Sequence, residues 1–294
     1  MGLVKGSTRW VLFLSSSNEP EYRHVMDLAF GLMCIEQAGV DPKDIFIYVD
    51  GKDRVLVSQL LALGTANSYK IGSSSDFFAD ISGNGYENLV LFVTGHGSIE
   101  GIDAAVPITP YALLKAIKSS PELKSAIAYL GQCHAGIFNY IGAGRSGRNP
   151  SDPDVILIGA TNLHESLSSS TTEDFLGQQI TWVANLFLLS VFKWLTAGVD
   201  VDGDGKLTVI DSYKYAGVTS NSVNKNIKIG SFVRSIDLHQ RWKDAQSDHS
   251  TNPSPAKKLA LQALEEQYVS ELGVRYTHQE CWILNSIPAQ CVEF

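Results

Sequence analysis

The stretch "LVLFVTGHGSIEGI", residues 89–102, decides how the rest of the chain is read. Five consecutive apolar residues, Leu89 to Val93, give way to a glycine-rich break that carries His96. A short apolar run bounded by glycine fits a strand buried on both faces, and parallel sheets gather their functional groups just beyond the carboxyl ends of such strands. His96 then stands on a strand-exit loop. Gly95 and Gly97 beside it let the backbone approach a bound molecule closely.

Similar runs recur on either side: "WVLFLS" (10–15), "DIFIYV" (44–49), "SAIAYLG" (125–131) and "DVILIGAT" (154–161). Helical patterns lie between them in "HVMDLAFGLMCIEQAG" (24–39), in 54–63, in "PYALLKAIKSS" (110–120) and in a short stretch after Cys133. Alternating strands and helices predict an α/β fold, an α/β/α sandwich around a mainly parallel sheet of about five to six strands. "NLHESLSSSTTEDF" (162–175) reads as a polar loop lining the site. The apolar segment 180–199 reads as a buried core helix, because Asn185, Ser190 and Lys193 interrupt it too often for a membrane span. One more helix is expected over 255–272, by its apolar spacing. The reading places one domain over 1–220 and a C-terminal extension over 221–294 that packs on it or continues it.

A chain of 294 residues can bury a core without disulfides. Its 31 acidic residues exceed its 23 basic ones, and no basic cluster stands out, so nucleic acid is not an expected partner. Four cysteines, Cys34, Cys133, Cys281 and Cys291, are too few and too scattered for a disulfide framework or a structural zinc site. The apolar run near the N-terminus is too short for a signal-peptide core, so the expected location is cytoplasmic.

Right-handed crossovers bring the strand exits together and set "GQCHAGIF" (131–138) beside "TGHGS" (94–98). A cysteine nucleophile needs a neighbour that takes its proton, and histidine is the usual one. Cys133 at a hand-over from strand to helix would also gain free N–H groups and the helix dipole. Alone, a strand-end cysteine is a small core residue and Gly-His-Gly is a turn. At the ends of neighbouring strands they point to a Cys133–His96 dyad. His134, the sequence neighbour of the thiol, points elsewhere and is the weaker candidate for a base.

These two blocks resemble the His-Gly and Cys blocks of the caspase-like superfamily of cysteine peptidases. "EYRHVMDLAFGLMCIEQAGVDPKDIFIYVDG" (21–51), "VILIGATNLHESLSSS" (155–170) and "DFLGQQ" (174–179) are similar to the legumain family, which includes the catalytic subunit of the GPI transamidase. The likeness runs over roughly the first 195 residues and implies a caspase-hemoglobinase-like sandwich that cleaves a protein or peptide substrate. It implies that Cys133 attacks the carbonyl, that the N–H groups of Gly97 and Cys133 hold the oxyanion, and that His96 protonates the leaving amine. A transpeptidase of the same family and a catalytically silent caspase-like binding module are the alternatives.

The resemblance also implies a specificity pocket. Arg23 and Ser166 match the family's arginine and serine, whereas His134 and Gln178 stand where it places acids. An arginine without carboxylate neighbours suits a carboxylate, so aspartate is expected before the cut, with asparagine next. Glu165, if turned inward, would oppose that preference. The loop "GAGRSGRNPSDPD" (142–154) is a candidate site of processing, since exposed loop tips are favoured for nicking.

"DVDGDGKLTVID", residues 200–211, has the spacing of an EF-hand loop. Oxygen ligands would come from the side chains of Asp200, Asp202, Asp204, Thr208 and Asp211 and from the backbone carbonyl of Lys206. Gly205 takes the sixth position. The expected ion is Ca2+, as a structural staple or an activator and with no organic cofactor beside it, and Asp rather than Glu takes the twelfth position.

Overall fold

The computed structural model describes residues 2–140, 142–144 and 152–294. Much of the candidate processing loop, residues 145–151, lies outside them.

The chain opens with β1 (Thr8–Leu14), α1 (Tyr22–Gln37), β2 (Ile45–Val49), α2 (Arg54–Leu61), β3 (Ile71–Gly72) and α3 (Ser74–Ile81). β4 (Asn88–Thr94) follows, then the small ladder of β5 (Gly97–Ser98) with β6 (Gly101–Ile102), α4 (Pro110–Lys118), β7 (Ser125–Leu130), a 3-10 turn (Ala135–Tyr140) and β8 (Asp154–Gly159). The remainder comprises β9 (Ser168–Phe175), β10 (Gln178–Asn185), α5 (Leu186–Thr196), α6 (Val209–Thr251), α7 (Pro255–Tyr276), β11 (Trp282–Leu284) and α8 (Ser286–Ala289).

Among the described residues the central sheet has seven strands in the order β11-β8-β7-β4-β1-β2-β3. All neighbours run parallel except β11, which pairs antiparallel with β8. The five long strands are those expected from their apolar runs. β3 and β11 are additions too short to leave a sequence pattern. Alternate residues divide the core between two layers, as the period of two demands. Trp10, Leu12 and Leu14 of β1 face α1, α2 and α5, whereas Val11 and Phe13 face Phe77 and Ile81 of α3.

Two expectations are corrected between residues 162 and 199. "SSSTTEDF" (168–175) is a strand rather than a loop, paired antiparallel with β10 from Ser168↔Asn185 to Gln178↔Phe175. Leu176 and Gly177, both at positive φ, form the two-residue turn that suits a tight hairpin. The apolar stretch after it is strand up to Asn185 and helix only from Leu186 to Thr196. The Asn185 side chain sets that boundary by accepting the Leu188 N–H at 3.0 Å.

The C-terminal segment leaves the sheet as a long helical hairpin and returns to it. α6 runs for 43 residues and α7 for 22, four residues past the expected end of that helix. Beyond α7 the Trp282–Leu284 strand completes the sheet edge, and the final residues pair with the turn before α6 through Val209 N to Val292 O at 3.0 Å. No helix among the described residues is long and apolar enough to cross a membrane.

Candidate active site

The carboxyl ends of β1, β4, β7 and β8 converge, as crossovers in a parallel sheet require. Between them lies a cavity of about 340 Å³ lined in part by Arg23, His96, Cys133, Glu165, Ser166 and Thr277. β4 delivers His96 and β7 delivers Cys133 from adjacent strands. Their loops touch. A Cβ on Gly97 would lie 2.4 Å from the Cys133 carbonyl oxygen and 2.6 Å from Cγ of Gln132, so the close approach of the two loops requires glycine there.

The donors around the sulfur differ from the expected ones. The turn after Cys133 is a 3-10 segment of six residues that starts at Ala135, so no long helix points its N-terminus at the thiol. Ser166 instead brings its N–H to 3.4 Å from Sγ and its hydroxyl to 3.6 Å. His134 takes a left-handed backbone with φ of 55° and donates its N–H to the His164 carbonyl at 2.8 Å. His134 is not among the residues that line the cavity, and its Nδ1 is buried without a hydrogen-bond partner among the described residues. His134 is therefore removed from the substrate-binding set.

The first turn of α1 supplies the charged wall. Glu21 bridges two groups: its Oε1 lies 2.5 Å from His96 Nε2, and its Oε2 accepts from Arg23 Nε at 2.6 Å. Arg23 also donates to the Ser168 hydroxyl at 3.1 Å. The Arg23 guanidinium holds the Glu21 carboxyl down to about 2, with partial burial opposing and the His96 bond assisting. Arg23 thus lines the cavity, but with Glu21 on its Nε it is not the bare fork that the family resemblance implies. Glu165 lines the same cavity, and its carboxylate has no ion-pair partner among the described residues.

Gln178 is corrected outright. It pairs with Phe175 beside the hairpin turn, seven residues from the Asn185 end that borders the cavity. At strand rise that is about 23 Å.

Several contributors escaped the sequence reading. His24, 4 % exposed, lines the cavity with its ring edge-on to His96, the centroids 4.9 Å apart. Burial pushes its imidazole down to about 3, and the positive charges of Arg23 and His96 add to the shift. Asp27, one turn further along α1, is buried and accepts from Thr94 Oγ1 at 3.0 Å, Trp182 Nε1 at 3.0 Å and Asn185 N at 3.1 Å. Asn185 Nδ2 in turn donates to the Gly131 carbonyl at 2.6 Å, two residues before Cys133. The carboxylate therefore ties α1, the β4 exit and the β10–α5 junction to the cysteine loop. The i, i+3 spacing of Glu21, His24 and Asp27 on one face of α1 was the available signal.

The C-terminal segment contributes Thr277, through a parallel bridge of Thr277 to Glu165 and a 2.8 Å bond from His278 N to the Glu165 carbonyl. Buried Gln279 accepts the Leu167 N–H at 2.9 Å.

In the 200–211 loop, the carboxylates of Asp200, Asp202 and Asp204 lie within 4.8 Å of one another. Asp200 accepts from the N–H groups of Gly203 and Gly205, both at positive φ. Thr208 and Asp211 are engaged elsewhere: the Asp211 carboxylate accepts from Thr208 N, Thr208 Oγ1, Val201 N and Asp202 N, closing the first turn of α6. Lys206 reaches Glu293 at 3.1 Å, and Lys214 reaches Asp202 at 3.0 Å.

Neither a protein-family model nor a curated protein sequence matches the chain.

Proposed function

We propose that the chain is a cysteine endopeptidase with a caspase-like sandwich, acting through Cys133 and His96. The observation that carries this reading is the convergence of the two side chains, from adjacent strand exits, on one cavity that also holds Arg23. Cys133 gives its proton to His96, its Sγ attacks the peptide carbonyl carbon, and the oxygen takes the negative charge beside the N–H groups of Gly97 and Cys133. Collapse of that adduct breaks the C–N bond, and the amine leaves with a proton from His96. Water then releases the acid and restores the thiol. With Nε2 held by Glu21, Nδ1 of His96 is the nitrogen left for proton exchange, and Glu21 fixes the ring as a positioning residue.

The charge balance argues for asparagine rather than aspartate before the scissile bond. Glu21 already neutralises Arg23, so a side chain there meets a donor, the Arg23 guanidinium, beside an acceptor, the Glu21 carboxylate. An amide satisfies both, whereas a second carboxylate repels Glu21.

Peptides that differ only at the residue before a fluorogenic amine test this reading. Asparagine is expected to be cut fastest, and Cys133→Ala is expected to lower turnover roughly a thousandfold or more with the fold intact. Equal turnover by the Cys133→Ala variant would sink the dyad, and faster release after aspartate would sink the pocket assignment. Partition to an added amine distinguishes transpeptidation from hydrolysis.

The three-carboxylate cluster supports a further part of the proposal, that the 200–211 loop takes Ca2+ through Asp200, Asp202 and Asp204 with the Lys206 carbonyl. Calcium is expected to raise the unfolding temperature of the wild type and not that of Asp200→Asn/Asp202→Asn.

A further inference from the structure

Two imidazoles and a carboxylate meet beside the proposed thiol. Ligand atoms of Glu21, His24 and His96 all lie within 4.8 Å of one another. His24 is buried at the cavity wall, yet its ring has no hydrogen-bond partner among the described residues, and it stands edge-on to His96. A buried histidine without a partner has a nitrogen free for some other group. His96 and Glu21 are each about half exposed, so the triangle is open to solvent on one side.

We infer that Glu21, His24 and His96 form a binding site for Zn2+ that, when filled, takes His96 away from the reaction. Two nitrogens and one oxygen are a donor set that borderline cations such as zinc accept, with a fourth position left for water. Glu21 and His24 are held on one helix turn, and His96 is already drawn to Glu21, so little rearrangement is needed. The Arg23 guanidinium on the other Glu21 oxygen draws charge from the carboxylate and repels a dication. That makes the site weak and exchangeable, which suits reversible inhibition rather than a permanent structural ion. Metal binding here stands independently of the peptidase reading. Its inhibitory consequence rests on that reading.

The test is a calorimetric titration of the whole chain with Zn2+, in excess Mg2+ to occupy the Asp200 loop, run beside Glu21→Gln and His24→Gln. His24→Gln keeps a buried polar side chain of similar length, and Glu21→Gln is a surface change that guards against misfolding. One site is expected, weakened about tenfold to a hundredfold in each variant. Co2+ in place of zinc is expected to give visible bands lost in both variants. Unchanged midpoints in the variants, no binding, or Co2+ bands that survive both substitutions would overturn the site. Peptide cleavage measured in parallel separates the two claims. Zinc bound with no peptide cut leaves the metal site standing and removes the peptidase, whereas cleavage indifferent to zinc removes the inhibition.

Discussion

All seven residues of β1 and twelve of the sixteen in α1 are buried, whereas α7 has no buried residue at all. Beyond Asn224, α6 buries only Ser231 and Ser235. Its apolar residues Ile229, Phe232, Val233 and Ile236 are exposed at i, i+3, i+4 and i+7. The sheet and its helices are held by burial of large apolar side chains. The hairpin is held by a polar seam, including Arg234 to Glu271 at 2.9 Å and Ser231 to the Glu271 carbonyl at 3.1 Å, and by ring contacts of Tyr268 with His239 and Trp242. Regions with few buried apolar contacts open locally before the core does. The same hairpin nevertheless carries the chain back to Thr277 at the cavity, so the least buried helix leads into one wall of a cavity built on the most buried elements.

Asp27→Ala strikes the buried side hardest. It leaves the Thr94 hydroxyl, the Trp182 indole N–H and the Asn185 N–H without an acceptor, and about 3–5 kcal/mol of stability should be lost in denaturant unfolding. Asp27→Asn sharpens the point through pH. Burial raises the Asp27 carboxyl from 3.8 to about 6, so the folded protein keeps a proton that the unfolded chain has already released. Stability due to this group is greatest below pH 3.8, falls as pH rises through about 6 and is flat above, a loss of roughly 3 kcal/mol. Asparagine removes that slope, and its amide can still accept from Trp182 and donate to Thr94. Unfolding midpoints from pH 3 to 8 would show a persistent slope if Asp27 is not its source.

Gly31→Val probes packing between α1 and α5, where a Cβ would sit 2.4 Å from Cζ of Phe192. The expected cost is about 1–3 kcal/mol, read from the same denaturation curves, with amide exchange in α7 unaltered. Arg234→Ala is the mildest. Its exposed ion pair should leave the global midpoint unchanged while amide exchange in α7 quickens, and a lowered global midpoint would show that the hairpin and core unfold as one unit.

The long strands and the loops that carry His96 and Cys133 were legible because burial in a parallel sheet leaves continuous apolar runs, and glycine follows closely on those of β4 and β7. The β9–β10 hairpin was not, since its first strand is a Ser/Thr-rich ribbon that follows no apolar period. The 43-residue α6 was hidden for a different reason: its Ser-, Asn- and Lys-rich stretch leaves only one short helical set of apolar residues beyond Asn224, Ile229 to Ile236, and that set is exposed.

The sequence alone determined the α/β architecture and the nearness of the His96 and Cys133 loops, because both follow from local periodicity and crossover handedness, while Arg23 was expected near them only through the family resemblance. Only the tertiary structure decided that Glu21 occupies Arg23 and His96, that Gln178 lies far from the cavity, that Asp27 anchors the cysteine loop and that Thr277 returns to the wall. Those facts depend on side-chain directions and on pairings between distant segments. No periodicity along the chain encodes either one.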